Sequence, residues 1–183
     1  MNVRRSWIVP VVLLIGVAVF AVITVRGGGD ESTREAVTAS GPEFSSIEEL
    51  AAASDVIVEG TIVAADDGRR ITDPADPEAG VVTRLYELQV AEVYQGDAGD
   101  FVLVEQEDAL LDGTPIVVNG MLPHAVGDVG FWFLVVGDSE EFPFTAVVNQ
   151  QGRLLIGDDD LIDSELLPGP TTAAELRAAL RGG

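Results

Sequence analysis

Asp158, Asp159 and Asp160, followed by Asp163 and Glu165, form the densest run of carboxylates in this 183-residue chain. Hard divalent cations take several converging oxygen ligands, so Asp158, Asp159, Asp160 and Asp163 are the residues from which a calcium site would be built. The run lacks the glycine and the spacing of an EF-hand loop, Asp-x-Asp-x-Asp-Gly, and a solvated acidic turn is the competing reading. Asp66-Asp67 and Asp73-Pro74-Ala75-Asp76 are lesser candidates that loop composition explains. Glu105 and Glu107 fall on one face of a predicted strand, about 7 Å apart by its rise. Paired carboxylates can cleave glycosides at a suitable separation, but with 31 acidic residues some such pair is unavoidable. His124 is the only histidine. Any serine-histidine-aspartate arrangement would have to use it, since a base near neutral pH must activate the hydroxyl. No Gly-x-Ser-x-Gly accompanies it, and a lone loop histidine is expected at the surface. One histidine also argues against zinc. Trp132, flanked by Phe131 and Phe133, reads as core packing in preference to an aromatic ligand platform. No catalytic residue and no organic cofactor is assigned.

Composition narrows the function classes. All 31 carboxylates and eight of the ten arginines lie beyond residue 25, a balance of about −23. Nucleic acid and anionic headgroups would be repelled, which leaves cations, basic peptides or nothing at all as electrostatic partners. The chain has no lysine, which together with its Ala, Gly, Val and Arg content points to a GC-rich genome or a saline habitat. It has no cysteine, so disulfides, thiol chemistry and thiolate-bound metals are excluded together.

These side chains hang from elements that the pattern delimits. Residues 7–25, WIVPVVLLIGVAVFAVITV, carry no charge and as a helix would span roughly 28 Å, close to the hydrocarbon core. Pro10 sits in the first turn, where its missing donor costs little. Arg4, Arg5 and the amino terminus outweigh Arg26, so residues 1–6 are expected in the cytoplasm and the remainder outside the membrane. A cleaved secretory signal is the alternative, but the run exceeds the usual 7–15 apolar residues and no small-x-small site follows closely. No Gly-x-x-x-G marks a helix-pairing face. Residues 26–42 read as a flexible stalk and residues 43–183 as one extracytoplasmic domain.

Within the domain, Ser46 and Glu49 have capping-box spacing before a short helix. From Val56 the apolar period becomes two, with Gly60 as a bulge or bend. Residues 66–80 are expected to be a long polar hairpin loop. Residues 81–94 form the longest strand signal, with Val82, Tyr86, Leu88 and Val90 on one face. Its parity slips at Ala91-Glu92, as one extra residue would cause, placing Val93 in the apolar phase. Residues 101–106 form another strand, and 108–128 mostly loop with a short strand near 115–118. The continuous apolar run 131–136 predicts a strand buried on both faces or closing a barrel. Residues 144–149 and 153–156 are expected to pair as a hairpin. A capping box at Thr172 and Glu175 opens a final amphipathic helix.

Asp55-Val-Ile-Val-Glu-Gly60-Thr-Ile-Val resembles the first strand of exported OB-like domains of the TIMP/netrin type. Residues 86–96, YELQVAEVYQG, resemble their second strand, which ends in a Tyr-Lys-Gly turn, and residues 126–134, VGDVGFWFL, resemble their late Gly-x-x-Tyr-Leu-x-Phe strand. Many exported bacterial proteins with an amino-terminal anchor look similar. The likeness covers roughly residues 54–157. The cysteines of the animal domains are absent and Gln95 stands where the turn has lysine, so no functional residue carries over. The resemblance implies a small five-stranded barrel with extra edge strands, and nothing about a ligand. The sequence reading is therefore a mainly β domain, an OB-like barrel or sandwich with short flanking helices, preceded by one transmembrane helix. By fold analogy it would be a binding or interaction module of the cell envelope with a protein or peptide partner. The alternatives are a structural or assembly subunit of an envelope complex and a carboxylate-dependent hydrolase.

Overall fold

The computed structural model describes residues 37–39, 43–73, 75–118, 123–137, 145–162 and 167–182. The expected transmembrane helix at 7–25 lies outside them, and no helix among the described residues is long and apolar enough to cross a membrane.

The domain is mainly β. Its principal sheet is built from β2 (Val56–Asp73), β3 (Asp76–Gln95), β4 (Phe101–Leu110), β6 (Val129–Val135), β7 (Ala146–Val147) and β8 (Arg153–Leu155). The order is β4-β3-β2-β6-β7, with β8 also on β6, and every ladder is antiparallel. The sheet is open. Among the described residues, a parallel bridge from Val104 to Thr145, with the Glu105 N–H donating to the Thr145 carbonyl at 2.7 Å, is what spans its two ends. The barrel expected from the sequence is therefore not closed by continuous ladders. A separate two-stranded sheet pairs β1 (Val37–Ala39) in parallel with β5 (Ile116–Val118). Part of the expected stalk is thus a strand.

Both faces of the main sheet are covered around β6, which is why its sequence is apolar without alternation. Trp132 and Leu134 join Val56, Val58, Ile62, Tyr86, Leu88 and Val104 in one core. Phe131 and Phe133 point the other way, into a second core with Ile57, Leu154 and the helices α1 (Ile47–Ala52) and α2 (Ala173–Gly182). Leu50 of α1 and Leu176 of α2 are fully buried there. Each helix begins as its sequence dictates. The Glu49 and Glu175 N–H groups donate to Ser46 Oγ and Thr172 Oγ1. The same two glutamates accept from the N–H groups of Ser45 and Thr171, which completes a reciprocal capping box at both helix starts.

The bulge expected in β3 is present. Glu59 pairs with Glu92 and Gly60 with Val90, leaving Ala91 as the extra residue. Gly60 is needed because a Cβ there would run into the Gln89 carbonyl oxygen. Val93, however, is exposed, for β3 here outruns the start of β4.

Two expectations are corrected. Residues 66–80 are not a loop: β2 and β3 continue their ladder to Asp73 and Asp76, forming a long two-stranded arm. An arm with solvent beside it needs no apolar alternation, so its strands read as polar loop. The second correction concerns β7 and β8, which do not pair with each other. Both lie antiparallel along β6, β7 on Leu134 and Val135 and β8 on Gly130 to Trp132. A single 3₁₀ turn, Gln150–Gly152, separates them, and Asn149 caps it by accepting the Gln151 N–H. The chain shifts there without reversing. Gln151, itself buried, then accepts the Phe44 N–H and donates to the Phe44 carbonyl, tying the start of the domain to this turn.

Candidate functional site

The face of the sheet that carries Phe131 and Phe133 is only partly covered. Arg177 of α2 reaches Glu59 of β2 with two hydrogen bonds, 2.6 and 2.9 Å, and Tyr94 OH donates to the same carboxylate. That bond to Arg177 holds the Glu59 carboxyl below its usual range, against the opposing effect of burial. Burial and the two acceptor carboxylates, Glu59 and Glu92, push the Tyr94 hydroxyl upward. Arg181 closes the group on Glu92 at 2.8 Å. Helix α2 is thereby fastened across β2 and β3 at one end of the face.

At the other end lies a second polar group. Arg69 meets Glu105 through two bonds of 2.7 and 2.8 Å, and the Thr83 hydroxyl donates to the same carboxylate at 2.7 Å. Glu107, next on this face, is raised above the ordinary carboxylate range by burial and by Glu105. The two glutamates share a face as expected, but Glu105 is neutralised by Arg69.

Between these groups several apolar side chains of the sheet are exposed. The ladders align Val129, Thr61, Gln89 and Phe101 in one row across β6, β2, β3 and β4. Leu103 sits two residues on from Phe101, opposite Glu87, and Val63 is the residue left out where β2 shifts register between Ile62 and Ala64. Phe101 is 52%, Leu103 47%, Val129 41% and Val63 37% exposed. Three strand spacings make the row about 14 Å long. This row, with exposed Phe101 and Leu103 at one end, Val129 at the other and the polar Thr61 and Gln89 between them, is the candidate site; Glu87 stands opposite Leu103 and Asp100 precedes Phe101. Sequence reasoning missed it because Phe101 to Val104 are apolar at all four positions. Val102 and Val104 face the core, and nothing in the residue types says that Phe101 and Leu103 face out.

The residues singled out from the sequence fall elsewhere. His124 is buried, correcting the surface placement expected for it. It stands edge-on to Tyr86 and Trp132, with ring centroids 4.8 and 5.0 Å away. Its Nδ1 lies 2.9 Å from an Arg153 guanidinium nitrogen. A guanidinium only donates, so Nδ1 accepts and Nε2 carries the proton, without a partner. Burial, reinforced by Arg153, pushes this histidine down to about 3. A catalytic triad needs a carboxylate behind the imidazole, and here a cation occupies that position. Trp132 is fully buried, its Nε1 donating to the Gly60 carbonyl, and is packing.

Asp158 and Asp159 are exposed. Asp160 has the left-handed φ of 59°. Its carboxylate accepts the Ala174 N–H and lies 3.7 Å from Arg177, so it serves the start of α2. Asp163 lies outside the described residues, and among these no three His, Asp or Glu side chains converge as a metal site requires. Asp66 and Asp67 are exposed on the arm, and Asp76 accepts the Glu78 N–H at its turn. Gln95, at the position of the lysine in the resembling turn, donates to the carbonyls of Ala51 and Ser54 and holds the end of α1. Gly96 follows with φ 77°, a conformation that requires glycine.

Compared with known proteins, the chain matches no family model, and no curated protein or solved structure matches it significantly.

Proposed function

We propose that this chain is a single-pass membrane protein whose β domain stands outside the cytoplasmic membrane as an OB-like barrel and works as a binding module of the cell envelope. The barrel reading is supported by the strand order and by the return of the chain beside β4, in parallel, at Thr145. The anchor reading is supported by the uncharged run at 7–25 and the arginines before it. Binding is carried by one observation: Phe101 and Leu103 of β4, with Val129 across the row, are exposed on the same face on which Phe131 and Phe133 are fully buried. Contiguous exposed apolar side chains rimmed by polar ones mark interaction surfaces.

The test is a photo-crosslinking amino acid placed at Gln89, in the middle of the row, and in a control at Asp76, on the arm. The full chain is expressed in membranes of its source organism, with protease added outside to report topology. The Gln89 position is expected to yield a discrete protein adduct that the Asp76 position does not. No adduct at Gln89, or equal adducts at both, overturns the binding reading. Protection of the domain from external protease overturns the topology.

A further inference from the structure

We infer that the row takes a cationic protein segment that also carries apolar side chains; the inference rests on the binding-module reading above. Its basis is the pairing of exposed apolar groups with an unneutralised carboxylate rim. Beyond residue 42 the chain has six arginines against 28 carboxylates. Arg69, Arg84, Arg177 and Arg181 are held by Glu105, Asp108, Glu59 and Glu92, and Arg153 lies against His124. The sixth, Arg70, stands on the arm opposite Val82, and among the described residues no arginine forms an ion pair with Glu87 beside Leu103 or Asp100 beside Phe101.

Five kinds of occupant can be compared on that footing. A second copy of this chain, a nucleic acid and an anionic membrane would each bring more negative charge to an acidic rim. A wholly apolar segment would cover the rim and leave its carboxylates dehydrated without partners, which is unfavourable. A segment with arginine or lysine beside apolar residues satisfies both features. Its apolar side chains cover Phe101, Leu103 and Val129, and its cations meet Glu87 and Asp100. The domain's overall charge also draws such a segment in from a distance, faster at low salt.

The test uses the full chain in a neutral detergent and three fluorescent twelve-residue peptides that alternate Arg with Leu, Arg with Ser, and Glu with Leu. The Arg–Leu peptide is expected to bind and to weaken as salt is added, and the Glu–Leu peptide to stay free. The double variant Phe101→Ser with Leu103→Ser should weaken Arg–Leu binding by about tenfold or more. Both side chains are half exposed, so the variant should keep the parent melting profile, which is recorded as the folding control. Equal binding of Arg–Leu and Arg–Ser peptides, or an unchanged affinity in the folded double variant, overturns the inference. If Gln89 crosslinks a protein in membranes while no cationic peptide binds, the binding module stands and the cationic partner falls. If neither occurs, both fall.

Discussion

His124 is the residue whose environment departs furthest from what its sequence position suggests. Its neutral ring is wedged against Tyr86 and Trp132 with Arg153 on Nδ1, so protonation there would put two cations together out of water. With its folded value depressed to about 3 and an unfolded value near 6.5, the unfolded chain binds a proton that the folded chain refuses. The stability tied to neutral His124 is complete above about pH 6.5 and drains away as pH falls toward the folded value. At pH 5 the loss amounts to about 2 kcal/mol. Denaturant unfolding at pH 7 and pH 5 should therefore show a larger drop for the parent than for His124→Gln, which does not titrate. Parallel pH profiles would refute the assignment. Glu107 gives the opposite sign: its raised folded value means that its ionised form burdens the fold at neutral pH. Glu107→Gln should stabilise the domain at pH 7 and do so less at pH 4, as thermal melts at the two values would reveal.

At the scale of elements, helix α2 offers a comparison of two ion pairs that differ in solvent exposure. The Glu59 side chain is 14% exposed and Arg177 fastens it with two bonds, whereas Arg181 and Glu92 meet in the open. Arg177→Ala leaves a half-buried carboxylate with only Tyr94 as donor and should cost about 1–2 kcal/mol, allowing for solvent around the guanidinium. Arg181→Ala should change nothing measurable by chemical denaturation, because an exposed pair gains little over hydration. Equal losses would show that contact with solvent does not govern these pairs. The same elements show what the sequence disclosed. Strand β6, the bulge at Ala91 and both capping boxes could be read, because each follows from period or from cap chemistry. The arm, β1 and the split of the last strand into β7 and β8 could not. Their place is set by backbone ladders and by single contacts such as Gln151 to Phe44, which leave no periodic trace. The candidate row was hidden for a related reason. FVLV in β4 and FWFL in β6 look alike, and only the position of the helices decides that one has a bare face.

The whole molecule is governed by its charge, and here salt supplies a decisive experiment. The carboxylate excess beyond residue 42 repels itself in the compact state, while the few arginine pairs are short and partly shielded. Raising sodium chloride from about 10 mM to about 1 M shortens the screening length from about 30 to about 3 Å. The repulsion is then removed, with less effect on pairs in contact. Melting temperature should consequently rise with salt, by about 3–5 °C for each kcal/mol of relieved repulsion. A fall would mean that the ion pairs outweigh the repulsion. Calcium chloride at matched ionic strength separates screening from a site at Asp158, Asp159, Asp160 and Asp163. Screening alone gives the two salts the same curve. A calcium site would add a rise that saturates and that Asp158→Asn with Asp159→Asn removes. Asp160 is left unchanged because its carboxylate already holds the start of α2, and its loss would lower stability through the helix whether or not a cation binds. A saturating rise would also require Asp160 to share its oxygens between the cation and α2. Arg177→Ala, which frees Asp160 from its cationic neighbour, should then strengthen the calcium response; under screening alone it leaves that response unchanged.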